Sequence, residues 1–115
     1  MSVLPLVVDP TRIAVRTTTS SGGCTVTVSG DVDSLTAPGL RRCLLELLGR
    51  GGTARVEIDL RGVTFLDSAG LSALAGAHRA AQAAGRPLQF RCGTARAVVR
   101  PLRITGLWDV FTVVD

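Results

Sequence analysis

The chain contains no lysine: all 13 of its basic residues are arginine. Without lysine there is no G-x-x-x-x-G-K-[ST] loop, so P-loop nucleotide chemistry is excluded. No G-x-G-x-x-G follows a strand-like segment, which excludes a dinucleotide fingerprint. No G-x-S-x-G elbow exists either; the nearest stretch is Asp67-Ser68-Ala69-Gly70. Aromatics are few: Phe65, Phe90, Trp108 and Phe111, each in an apolar pattern. Base stacking needs exposed aromatics beside positive charge. No nucleic-acid partner is therefore expected, although the formal net charge is +4.

Histidine occurs once, as His78, ten residues after Ser68 on the same predicted helix. At about 1.5 Å of rise per residue the two lie about 15 Å apart. A nucleophile and its base need roughly 3 Å, so a Ser-His mechanism is excluded. Cys24, Cys43 and Cys92 form no C-x-x-C pair and have apolar neighbours. They read as small buried hydrophobes. Asp31 and Asp33 share a turn, but no third ligand stands near them in sequence, and neither metal nor cofactor is expected. No apolar run approaches the roughly 20 residues of a membrane span. The first five residues lack the basic region of a secretory signal. A cytoplasmic protein with no membrane span is the expectation.

What is present reads as globular: 46% of residues are hydrophobic and 19% charged. The length fits one domain over 1–115, with the proline-bearing residues 1–11 as an irregular arm or edge segment. Ile13 and Val15 alternate with Arg12, Ala14 and Arg16, which predicts a strand. Residues 17–23, rich in Thr, Ser and Gly, read as a hairpin turn. Cys24, Val26 and Val28 then share one face of a second strand. Thr36 is placed to cap a helix with Pro38 just inside it. Leu40, Cys43, Leu44, Leu47 and Leu48 make that helix's apolar stripe.

A strand over 54–60 follows, then an apolar stretch over 62–66. A long helix is predicted over 69–84, with Ser68 as its N-cap and Gly85 at its end. A strand over 87–92, a helix over 95–104 and a short strand over 112–114 complete the pattern. Gly93-Thr94 reads as a turn and cap for that last helix. Pro101 inside it predicts a kink. Arg96, Arg100 and Arg103 recur along one of its faces. The fold class expected is α/β: a four- to five-stranded mixed, largely parallel sheet packed with about three helices, in the order β-β-α-β-α-β-α.

Three motifs remain. The first is Gly30-Asp31-Val32-Asp33 with Thr36-Ala37-Pro38 and Leu40. The second runs from Val63 through Phe65-Leu66-Asp67-Ser68-Ala69-Gly70 to Leu71. The third is Val98-Val99-Arg100-Pro101-Leu102 with Thr105-Gly106-Leu107. Together they resemble the STAS domain of anti-sigma-factor antagonists, over residues 12 to 114. The chain departs from that pattern at Ala69, where Ser or Thr is frequent, and in being basic.

The resemblance implies a regulatory protein and not an enzyme. It implies phosphorylation of Ser68 by a partner that is both anti-sigma factor and serine kinase, with a phosphatase to reverse it. The unphosphorylated form would bind the anti-sigma factor and release the sigma factor. The docking surface implied comprises Asp31, Asp33, Thr36, Asp67, Ser68, Ala69, Gly70 and Leu71. A second reading is a constitutive STAS interaction module, such as the small subunit of a lipid-transport ATPase complex.

Overall fold

The computed structural model describes residues 12–50 and 54–115. The expectation for residues 1–11 lies outside them. The described chain builds a five-stranded sheet in the order β1-β2-β3-β4-β5. β1 (Ile13–Ser20) pairs antiparallel with β2 (Gly23–Val32). β3 (Arg55–Leu66), β4 (Leu88–Arg91) and β5 (Val113–Val114) then add in parallel. The helices are α1 (Ala37–Gly49), α2 (Ser68–Ala84), α3 (Arg96–Ile104) and the single turn α4 (Leu107–Val110). The fold class is the expected one, with α4 and β5 completing it.

Several boundaries differ from the expectation, for physical reasons. Residues 17–20 belong to β1 and not to a turn; only Ser21 and Gly22 make the hairpin loop. Threonine is β-branched and suits a strand whose outer positions are wet. β3 runs unbroken through Gly62 over 12 residues, where alternation suggested two pieces. Its register against β2 slips twice. Thr27 and Ser29 pair with Asp59 and Gly62, and Gly30 and Asp31 pair with Val63 and Phe65. Each slip puts one extra residue on β3, a bulge that changes which side chains turn inward.

Val26, Val28, Val56, Ile58 and Phe90 share one face of the sheet and are fully buried. Leu40, Leu44 and Leu48 of α1 and Leu71, Leu74, Ala77 and Ala81 of α2 complete the same core. Burying each large side chain contributes about 1.5–3 kcal/mol. Phe111 stacks on Phe90 with ring centroids 4.1 Å apart. His78 lies 5.4 Å from Phe111 by ring centroid, so the histidine serves the core's rim. The opposite face of the sheet is polar: Glu57 accepts hydrogen bonds from Gln89 and Arg91, and Asp59 from Arg61.

Three caps expected from sequence are not made, that of Ser68 on α2 among them. Thr36 holds the N-cap position of α1 without a side-chain cap bond, and α3 starts from Ala95 instead of Thr94. Pro101 stays within α3, and the Thr105 hydroxyl donates to its carbonyl.

Candidate functional site

The site is the end of the sheet where β2 and β3 both run into helices. Gly30 sets its geometry. Its φ is +93°, and a Cβ there would stand 2.1 Å from the Arg12 carbonyl oxygen. A side chain at this position is therefore excluded on both counts. Next to it the Asp31 amide donates to that same Arg12 carbonyl at 2.8 Å.

The β2–α1 loop is then wound around Thr36, which is 1% exposed. Its hydroxyl donates to the Asp31 carbonyl at 2.7 Å and accepts from the Asp33 amide at 2.9 Å. This is why Thr36 does not cap α1: its oxygen is engaged in the loop. Asp33 does the neighbouring work, accepting from the Leu35 and Thr36 amides at 2.9 and 3.2 Å. Arg12 donates to its other carboxylate oxygen. Burial alone would push the Asp33 carboxyl up. The bonds from Leu35, Arg12 and Thr36 outweigh that and hold it below the usual carboxylate value. Asp31 accepts from the Thr64 hydroxyl at 2.9 Å and lies 3.9 Å from Arg12. Both aspartates are thus bound into the scaffold, and their charge is partly met from within.

Beyond the β2–β3 pairing, a further backbone bond ties the loop to the second motif, from the Asp67 amide to the Val32 carbonyl. Asp67, not Ser68, is the N-cap of α2. Its carboxylate accepts from the Ala69 and Gly70 amides at 3.0 and 3.1 Å. An ionised carboxylate outcompetes a hydroxyl for those two donors. Ser68 is consequently the first residue of the helix, exposed, with a hydroxyl that makes no hydrogen bond among the described residues. Two other expected docking residues turn inward. Gly70 and Leu71 are buried. A Cβ on Gly70 would come within 2.6 Å of Leu66 Cδ1 and 2.9 Å of the Val32 carbonyl oxygen, so glycine there lets α2 lie on the sheet. Thr36, Gly70 and Leu71 are buried and shape the site from within; Asp31, Asp33, Asp67 and Ala69 are half-buried.

Beside Ser68 a depression of about 510 Å³ opens between α1 and α2, lined by Pro38, Arg41, Leu45, Ala69 and Ser72 among others. Leu35, at the tip of the loop, is 64% exposed. The sequence reading passed over it, although an apolar residue off the α1 stripe was a visible signal. Arg12 was also missed; its partners lie 19 and 21 residues away and no local pattern announces them. Phe65, within the apolar stretch over 62–66, is 50% exposed. The two bulges turn Val63 and Leu66 inward and leave Thr64 and Phe65 outside. Among the described residues, no group of three His, Cys, Asp or Glu could hold a metal ion, and no helix is long and apolar enough to cross a membrane.

This geometry has relatives. The sequence model of the family described as "Mlab, STAS domain" matches residues 15–114. The chain is 31% identical over 88 residues to the anti-sigma-B factor antagonist of Bacillus subtilis, covering 76% of this chain and 78% of that protein. An anti-sigma factor antagonist from Mycobacterium paratuberculosis superposes with a TM-score of 0.75 at 30% identity, covering 91% of this chain and 87% of that one. The unphosphorylated form of the antagonist SpoIIAA shares the fold, with a TM-score of 0.72 at 14% identity over 89% of each chain. The chain belongs to the STAS domain family, that of the anti-sigma-factor antagonists.

Proposed function

We propose that the chain is a phosphorylation-switched antagonist that binds an anti-sigma factor in the cytosol and so releases a sigma factor. It acts by binding and has no catalytic role of its own. The observation that carries this reading is the Ser68 hydroxyl: exposed, without a hydrogen bond among the described residues, and on the first turn of α2. A serine kinase would transfer the γ-phosphoryl group of ATP to Ser68 Oγ, releasing ADP and the hydroxyl proton. A phosphatase would hydrolyse the ester back to serine.

The modification would add about −1.5 to −2 charges. Helix N-termini ordinarily receive such charge through free amides. Here Asp67 already holds the Ala69 and Gly70 amides. The phosphate would therefore stand outward beside a second negative group, on the docking face. Like charges brought together at an interface cost several kcal/mol. The core beneath, built from Leu66, Leu71 and Val32, would not change.

A constitutive STAS module is the second reading, favoured by the family description that names Mlab. Incubation with a candidate anti-sigma serine kinase and ATP separates the two. One phosphate mapped to Ser68, absent from Ser68→Ala, supports the switch. No incorporation by a kinase that binds the chain supports the constitutive module.

A further inference from the structure

A second surface lies at the end of β3 and shares no lining residue with the α1–α2 depression. Phe65, Leu66, Ala97 and Pro101 floor a groove of about 370 Å³ between β3 and α3, and Arg96 and Arg100 line it. Three features set it apart. Phe65 is half exposed, an aromatic ring left in water at the end of a strand. α3 carries three arginines and no acidic residue. Arg103 is engaged over the Trp108 ring at 4.6 Å, whereas Arg96 and Arg100 have no carboxylate partner among the described residues.

We infer that this groove docks an acidic protein segment, one that places an apolar side chain on Phe65 and carboxylates on Arg96 and Arg100. Charge complementarity selects the occupant. Guanidinium groups pair carboxylates in a bidentate fork, and an apolar floor suits an aliphatic or aromatic anchor. A second copy of this chain is disfavoured because it would bring its own net charge of +4. A nucleic-acid strand is disfavoured too. Base stacking along a strand needs several aromatics in succession, and Phe65 is alone in the groove. The inference stands apart from the Ser68 switch and does not require it.

The test is amide-shift mapping of the isotope-labelled full chain with three probes: a short Asp/Glu peptide carrying a central Leu-Phe pair, the same peptide with Lys for each acid, and an oligothymidylate. The acidic peptide should shift residues 64–66 and 96–101, with affinity falling as salt is raised. Arg96→Glu/Arg100→Glu should weaken it by about tenfold or more. Phe65→Ala keeps the charges and should weaken it as well. Neither variant touches the core, and unchanged far-UV spectra would establish that both fold. Absence of shifts at these residues, equal binding of the Lys peptide, preferential binding of the oligothymidylate, or concentration-dependent self-association through the groove would each overturn the inference.

Discussion

The Asp67 amide donates to the Val32 carbonyl at 3.2 Å, joining the end of β2 to the start of α2. With the β2–β3 pairing, that bond fixes the entrance of α2 against the end of β2. The Asp67 side chain fixes the helix entrance by accepting from Ala69 and Gly70. Asp67→Ala should therefore lose about 1 kcal/mol of stability, the usual cost of a lost N-cap, while Asp67→Asn retains most of it. Urea unfolding midpoints of the two variants measure the difference.

The glycines of α2 should respond in opposite directions. Gly70→Ala places a methyl 2.6 Å from Leu66 Cδ1 and 2.8 Å from Val32 Cγ1, a crowding that costs about 1–3 kcal/mol. At Gly76 the nearest atom to an added methyl is Arg41 Nε at 3.5 Å, an ordinary contact. Gly76→Ala should stabilise by about 0.5–1 kcal/mol through helix propensity. Thermal melts of both variants check the sign of each change.

Much of this arrangement was legible in the residues. The alternation of Cys24, Val26 and Val28 and the stripe of Leu40, Leu44 and Leu48 are local patterns, and the structure buries them as expected. Asp67-Ser68 at a strand-to-helix junction was also visible. What remained hidden depends on partners far apart in sequence. Asp67 or Ser68 could each cap α2, and only the geometry of the turn assigns the amides to Asp67. The bulges of β3 arise from its pairing with β2, so the exposure of Phe65 could not be read from a continuous apolar run. Thr36 looked like a cap, and its engagement with Asp31 appears only once the loop is closed.

The polar face of the sheet makes acid sensitivity predictable. The Arg91 bonds hold the Glu57 carboxyl below its ordinary value against the effect of burial, with help from Gln89. The Arg61 bonds do the same for Asp59. A carboxylate with a lowered folded pKa stabilises the protein above its unfolded pKa, roughly 3.9 for Asp and 4.3 for Glu. That contribution disappears as pH falls through the lowered values. The urea midpoint should hold constant from neutrality down to about pH 5 and then fall. Glu57→Gln should show a shallower fall when midpoints are measured across the same range.

The cysteines should react in order of exposure. Burial, with the Asp59 charge added, pushes the Cys92 thiol up to about 11. Cys43 is only half-buried, with its thiol raised by burial and then by Glu46. Iodoacetamide at neutral pH should label Cys43 before Cys92, because thiolate and access are both required. Peptide mass spectrometry over time, with and without urea, should show Cys92 modified only after unfolding.

The most direct test titrates a candidate anti-sigma factor against three forms of residue 68 by calorimetry. Wild type and Ser68→Ala should bind with matching affinity, and Ser68→Asp should lose binding while its far-UV spectrum stays unchanged. Wild-type affinity in a folded Ser68→Asp variant would contradict the account.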